Sequence, residues 1–327
     1  MAECYIVNPI DFSQTQSYML NSSLTGAPGD SPSGMLSVWL EIDPNGTTQY
    51  IYRHSDASQG DVHVRLLSGG DISVLFLQPG VGNTIVSYNT GSVFSDGWHH
   101  YLFAWDLVAP TPVFQCYVDD LDDMGTFGVG PLAGNVDMTP AASANIGCFL
   151  TNGSLPWIGC MAELWLHHAD YLDISVESNR RLFRDELGFP VDLGSDGSTP
   201  TGNAPLVYLK TASPNFHLNS GIGTDWTQAN NQLVCPVTPS LPRPPDIIVE
   251  FIPPSAGAGD TVTKVITIDN ECNTENLTGI GFTDTLPEGL IVANPANTVN
   301  TCGGTLTANP GGSEITLSGA TLTAGET

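Results

Sequence analysis

The chain has 327 residues, and its 34 acidic against 8 basic residues give a formal net charge of −26 at pH 7. This balance argues against nucleic acid or an anionic membrane as a partner, because no basic stripe offsets the long-range repulsion of a polyanion. Divalent cations are the partner class that it favours. The length leaves room for two domains.

Neither a secretory signal nor a membrane span is predicted. Residues 1–20 contain no basic segment followed by an apolar core. No run of about 18 apolar residues occurs anywhere in the chain. The protein is therefore not expected to insert into a membrane.

Short β-strands dominate the first two thirds of the chain. Apolar or alternating runs are separated by clusters of Gly, Pro, Asn and Asp, at the spacing typical of a sandwich or barrel. The predicted strands are 34–42, 62–67, 72–77, 84–88, 99–106, 113–118, 144–150 and 157–167. We expect a jelly-roll β-sandwich over residues 1–235.

One hairpin within this region has a recognisable sequence. The segment SDGWHHYLFAW (95–105) leads from a turn into an alternating strand, and a second strand at 113–118 ends in Asp119 and Asp120. Asp-Gly suits the turn because glycine accepts a positive φ without steric cost. The pair resembles the "DGWHH…W…YVDG" hairpin of laminin-G-like (LamG) domains, which have the concanavalin A-type lectin fold. Asp120 replaces the glycine of that pattern.

A single helix is predicted at about 175–187, with Ser175 as its cap and Gly188 near its end. The segment NRRLF (179–183) lies within it, and the segments GFPVDLGSDGSTPTG (188–202) and FHLNSGIG (216–223) follow. They resemble the closing part of LamG-like domains in bacteriophage and proteobacterial proteins. The resemblance covers about residues 5–235 and implies a lectin-like fold.

The composition changes after this domain. Residues 236–245 contain five prolines, which favour a semi-rigid extended spacer. In residues 246–327, GFTDTLPEGL (281–290) and CGGTLTA (302–308) resemble the immunoglobulin-like repeat of bacterial surface proteins. That family has a second cysteine where this chain stops, so the C-terminal β-sandwich is expected to be incomplete.

The seven cysteines are at positions 4, 116, 148, 160, 235, 272 and 302. None forms a Cys-x-x-Cys pair, which weakens both a zinc and a thioredoxin-like interpretation. Cys116 and Cys160 are in phase with apolar neighbours. We therefore expect free thiols that serve as small buried side chains.

No enzyme activity is expected. Glu41 and Asp43 begin the Glu-x-Asp-x-x-Glu pattern of jelly-roll glucanases, in which alternate acids share one face of a sheet. Position 46, where the third acid belongs, is glycine. Neither a Gly-x-Ser-x-Gly elbow nor a His-Glu-x-x-His helix is present.

Two kinds of binding site are predicted. Lectin-like sandwiches of this group often bind calcium at a loop rim, and the acids Asp119, Asp120 and Asp122 are the candidate ligands, with solvated turns as the alternative. For a glycan, Trp157 and Trp226 are the candidate stacking side chains because each follows a polar loop, with core packing as the alternative. Asn152 is the candidate amide.

The sequence therefore predicts a structural or adhesive virion protein of a tailed bacteriophage. Such a protein displays a lectin-like domain towards cell-surface glycans and assembles with copies of itself and other virion proteins. The alternative is a bacterial surface adhesin or a secreted carbohydrate-binding lectin. The missing signal peptide counts against the alternative.

Overall fold

Nearly all regular structure in the computed structural model is β. It describes residues 10–323 apart from 13–16, 23, 27–28, 43–44, 56–59, 94–96, 139–142, 212–213, 230–232, 236–244 and 271–275. The chain divides into two compact units, residues 7–239 and 240–327. This division falls within the segment predicted as a linker, of which residues 236–244 lie outside the described part.

The first unit contains two eight-stranded antiparallel sheets. In chain order its strands are β1 (Ile10–Asp11), β2 (Tyr18–Asn21), β3 (Ser33–Ile42), β4 (Gln49–Ser55), β5 (Asp61–Leu66), β6 (Ile72–Leu77), β7 (Thr84–Asn89), β8 (Trp98–Asp106), β9 (Val113–Val118), β10 (Leu121–Asp122), β11 (Thr126–Val129), β12 (Ser143–Ile146), β13 (Gly159–His167), β14 (Val207–Leu209), β15 (Thr227–Ala229) and β16 (Leu233–Val234).

The strand order is that of a jelly-roll sandwich, which confirms the predicted fold class. Sheet A has the order β10-β9-β8-β3-β13-β1-β16, with β14 also paired to β13, and sheet B has the order β11-β7-β6-β5-β4-β12-β2-β15. The predicted hairpin is present as β8 and β9, which pair from Tyr101↔Val118 to Asp106↔Val113.

Alternating side chains of the two sheets form the main core. Val38 and Leu40 of β3, for example, share one cluster with Val62 and Val64 of β5. Alternate residues of β5, such as His63 and Arg65, therefore point away from the core. The outer face of sheet B is thus a regular array of side chains on neighbouring strands.

A second layer covers the outer face of sheet A. Trp165 and Tyr208 of this sheet pack in one buried cluster with Ile174, Phe183 and Leu193. Trp165 Nε1 donates a hydrogen bond of 2.8 Å to the Gly197 carbonyl. The segment after β13 is therefore part of the fold, although it contains little regular structure.

The predicted helix is much shorter than expected. It comprises only α1 (Glu177–Arg180), and Val176 precedes it with no side-chain cap. The Ser175 hydroxyl instead donates to Asp173 Oδ1 at 2.7 Å. Beyond α1 the chain turns, and Arg184 forms a β-bridge with Pro190, because the tertiary contacts of this segment outweigh its helical propensity.

Among the five cysteines that the structure describes, the prediction of free thiols is wrong for two. Cys160 and Cys235 form a disulfide that closes a sequence separation of 75 residues. Cys160 lies on β13 and Cys235 directly follows β16, so sheet A brings them together. Cys116 and Cys148 are buried free thiols, as predicted, and Cys302 is a half-buried one.

The second unit consists of two small sheets. Its strands are β17 (Asp246–Ile252), β18 (Thr263–Asp269), β19 (Leu277–Thr285), β20 (Thr305–Ala308) and β21 (Glu314–Leu322). β17 pairs with β18, and β21 lies between β19 and β20. A core of Ile268, Leu317, Ala320 and Leu322 supports them. The immunoglobulin-like assignment stays a prediction. In the described part of the chain, no helix has the length and apolar character that a membrane span requires.

Candidate functional site

A pocket of about 340 Å³ opens at one edge of the jelly roll. It lies where the β9–β10 end of sheet A meets the β7–β11 end of sheet B. β10 pairs with β9 only at Tyr117 and Val118. The preceding part of β9 therefore has an open edge, and the pocket forms along it. We call this site the edge pocket.

Four of its eleven lining residues are aromatic. Tyr88, Phe114, Tyr117 and Phe127 line it, and the Tyr88 and Phe114 ring centroids lie 5.2 Å apart. Phe127 remains 43% exposed because β11 is a short edge strand. Arg180 lies with its guanidinium carbon 4.3 Å from the centroid of Tyr117. The pocket thus offers a rigid aromatic surface beside polar groups.

One buried carboxylate holds the pocket floor in place. Asp123 accepts hydrogen bonds from Tyr88 Oη at 2.6 Å, Gly91 N at 2.8 Å and Ser92 N at 3.0 Å. Burial alone would raise the pKa of Asp123, but these hydrogen bonds outweigh it and hold the pKa below its usual value. Asp123 is therefore a structural anion that ties β7 to the turn after β10.

Of the three predicted calcium ligands, only Asp122 lines the pocket. Its carboxylate is exposed, and no described residue donates a hydrogen bond to it or pairs with it. Carboxylate oxygens that face a pocket can accept hydrogen bonds from ligand hydroxyl groups. Asp122 is therefore the available polar group of the edge pocket.

Asp119 and Asp120 have protein partners. His99 Nδ1 lies 2.6 Å from Asp119 Oδ2, while Asp120 pairs with Arg180 Nε at 2.5 Å and Arg181 at 2.7 Å. Burial would raise the pKa of Asp120, but its hydrogen bonds to the two arginines prevail and lower it. A calcium ion would have to compete with these cations, and the calcium site stays a prediction.

The expectation that two tryptophans are exposed at a loop rim is wrong. Trp157 is 0% exposed and Trp226 is 2% exposed, and both belong to the main core. Trp226 packs edge-on against Tyr52 with ring centroids 6.4 Å apart. Each polar loop turns inward immediately before its tryptophan, so neither ring can stack on a ligand. Asn152 is exposed, and its Oδ1 accepts a hydrogen bond from Ser154 N.

Sequence reasoning did not find the aromatic residues of the edge pocket. Phe114, like Cys116 and Val118, is in phase with the core side of β9, so the sequence indicates only a buried side chain. Phe114 borders a pocket because β10 ends early. Where β10 ends depends on tertiary pairing, which the sequence does not show. The feature of the sequence that could have located the pocket is the acid-rich turn at 119–123, which follows β9.

Residues 245–327 match a protein family described as "Domain of unknown function (DUF7933)". No curated protein matches the sequence. Several solved structures are similar to it. A native heptameric SAP-like pentraxin from Limulus polyphemus is 12% identical with a TM-score of 0.43, and the match covers 70% of this chain and 94% of the pentraxin.

Two further structures show the same level of likeness. A putative carbohydrate binding protein from Bacteroides ovatus is 16% identical with a TM-score of 0.42, over 64% of this chain and 52% of that one. Domains LG4-5 of the mouse laminin α1 chain are 16% identical with a TM-score of 0.37, over 53% of this chain and 44% of theirs. This chain thus spans about half the length of these two proteins.

Proposed function

We propose that the jelly-roll unit is a non-catalytic carbohydrate-binding domain and that the edge pocket receives a sugar ring. The observation that carries the proposal is the aromatic wall of the pocket beside the exposed carboxylate of Asp122. Aromatic faces bind the C–H face of a pyranose, while a carboxylate accepts hydrogen bonds from its hydroxyl groups. The volume of about 340 Å³ lies within the range typical of small-ligand pockets.

Phe127 is the stacking residue in this proposal, and Tyr117 borders the pocket from the opposite face of β9. Phe127 is exposed on an edge strand, and Tyr117 is held by the cation over one of its faces. Such immobilised rings lose little conformational entropy when a ligand binds. The proposed affinity therefore comes from a preformed surface.

Glycan-array screening of the full chain, with and without Ca²⁺, tests the proposal. For the best neutral glycan, we expect Phe127→Ala to weaken binding about fivefold to tenfold by calorimetry, because the stacking surface is lost. Asp122→Asn should also weaken binding of this glycan. If glycan binding requires Ca²⁺, Asp122 is assigned as a ligand of the ion.

Phe251→Ala and Asp30→Asn are matched controls. Phe251 belongs to the second unit, and Asp30 is an exposed acid outside the pocket. Both should bind like the wild type. An array with no positive glycan under either condition would overturn the proposal, as would unchanged binding by both pocket variants.

We further propose that the protein is a structural or adhesive component of a tailed-phage virion, present in several copies. The resemblance of residues 179–223 to LamG-like phage proteins supports it. The Cys160–Cys235 disulfide supports the second candidate, a bacterial surface adhesin or secreted lectin, because disulfides persist in oxidising compartments. Mass spectrometry of purified particles separates the two. Absence from intact virions and recovery only from culture fluid would favour the second.

A further inference from the structure

A second polar site lies on the outer face of sheet B, and its residues are not among those that line the edge pocket. Arg65 of β5 stands opposite Ser73 of β6, and Ser73 stands opposite Asn89 of β7. The flanking Val64, Val74 and Tyr88 are core residues. Since side chains alternate along a strand, Arg65, Ser73 and Asn89 all project outward in one row. We call these three residues the β5–β7 row.

Arg65 has an unusual charge environment for so acidic a chain. Within the described part, Arg53, Arg180, Arg181, Arg184 and Lys264 each pair with a carboxylate. No described carboxylate pairs with Arg65, whose Nη1 donates to Tyr50 Oη at 3.1 Å. Its guanidinium therefore has room for an anionic partner that the described part of the chain does not supply.

The surroundings hold Arg65 in position. Its guanidinium carbon lies 5.9 Å from the centroid of the Tyr50 ring. Tyr50 is only 3% exposed and also packs against His63 and Phe149, at centroid distances of 5.4 and 4.7 Å. Arg65 is therefore anchored on a rigid aromatic cluster, which lowers the entropy lost when it binds a ligand.

Of the two neighbours in the row, Asn89 is partly exposed and supplies a neutral hydrogen-bonding group, whereas Ser73 is only 3% exposed. No described residue hydrogen-bonds with the side chains of Ser73 or Asn89. Adjacent strands are about 4.8 Å apart, so the row spans about 10 Å. Asp71 follows the β5–β6 turn on the same face, and its Oδ1 lies against Gly69 within that turn. The row therefore presents one cation and one amide, with the buried Ser73 between them.

We infer that the β5–β7 row binds a carboxylate-bearing sugar, with Arg65 on the carboxylate and with Asn89 on ring hydroxyl groups. The inference rests on the proposed carbohydrate-binding function and adds an acidic-sugar site to it. A planar guanidinium matches the two oxygens of a carboxylate. The net charge of −26 disfavours a dense polyanion, so a sugar with one carboxylate per ring suits the row.

Calorimetric titration with trigalacturonate and trimannuronate, each beside its methyl ester, tests the inference. The full chain should bind at least one acid form, and the corresponding ester should bind at least about tenfold more weakly because the charge-assisted bonds are lost. Arg65→Gln should lower affinity for the acid to the level of the ester. Asn89→Ala should weaken binding by a smaller factor.

Lys210→Gln is the matched control. It removes the same charge, and Lys210 also lacks a described carboxylate partner, since it donates to the Gly194 carbonyl. It should bind the acid like the wild type. No binding of either acid, equal binding of acid and ester, or equal losses in Arg65→Gln and Lys210→Gln would each overturn the inference. Phe127→Ala should leave binding of the acid sugar unchanged. A failure of this inference can therefore be told apart from a failure of the edge-pocket proposal.

Discussion

At the scale of single residues, His100 shows how the fold controls charge. Its ring stacks on Trp39 with centroids 4.7 Å apart, and its Nε2 lies 2.9 Å from Ser37 Oγ. Burial, with a smaller effect of nearby Arg184, lowers the pKa of His100 to about 3. The imidazole therefore stays neutral at neutral pH, and the side chain that lies 2.6 Å from Asp119 is that of the adjacent His99.

This burial predicts acid sensitivity. The folded-state pKa of His100 is below its unfolded value of about 6.5, so the unfolded state takes up the proton first as the pH falls. The stability associated with neutral His100 is complete above about pH 6.5 and is lost progressively towards pH 3. His100→Gln cannot titrate, so its free energy of unfolding should change less between pH 7 and 5.

Urea unfolding at a series of pH values checks this expectation. The half-exposed His217 offers a control, and His217→Gln should follow the wild-type pH dependence. If His100→Gln loses as much stability between pH 7 and 5 as the wild type does, another group controls the acid response.

At the scale of elements, the segment around α1 is held by charge rather than by helix length. Asp120 lies between Arg180 and Arg181, and Arg180 Nη1 also donates to the Ile174 carbonyl at 2.8 Å. These contacts fasten the outer layer to the β9–β10 turn. The side chains that form these contacts are partly buried. Removal of one charged partner therefore leaves the charge of the other uncompensated.

Asp120→Asn should therefore loosen the outer layer. We expect faster amide hydrogen exchange over residues 174–193 and a loss of stability of about 1–3 kcal/mol. Glu177→Gln is the comparison, because Glu177 also pairs with Arg181 but is 66% exposed. A surface pair of this kind contributes about 0–1 kcal/mol. Equal exchange in the two variants would show that Asp120 does not fasten the layer.

The same element shows what the sequence could and could not predict. The β8–β9 hairpin followed from alternation and turn chemistry, which are local. The helix was overestimated because the pairing of Arg180 with Asp120 joins residues 60 positions apart. Trp157 and Trp226 were misplaced for a similar reason. A polar loop before a tryptophan does not reveal whether the chain then turns inward, and the edge pocket depends on where β10 ends.

At the scale of the whole chain, the Cys160–Cys235 bridge connects the end of the first unit to a central strand of sheet A. Sequence separation gave no indication of this pairing, because sheet order brings the two residues together. In the chain-entropy treatment, closing a loop of this size stabilises the folded state by about 4 kcal/mol, although strain can reduce that figure.

The variant Cys160→Ala/Cys235→Ala should therefore unfold at a lower temperature. Calorimetry should show the transition of the first unit shifted down by roughly 10 °C, and a reductant should have the same effect on the wild type. Cys302→Ala changes a free thiol of the second unit and should leave that transition in place. An unshifted transition in the double variant would show that the bridge adds nothing to stability.

The bridge also determines how the first unit bears tension. A pull on the second unit travels back along the chain through residues 236–245 and reaches Cys235, which directly follows β16 in sequence, before it reaches that strand. The disulfide then carries the load into β13, which lies between β3 and β1 within sheet A. The force therefore bypasses the two-residue edge strand β16 and enters the interior of the sheet, where many backbone hydrogen bonds share it. The first unit should therefore resist unfolding by a force applied through its C-terminal end.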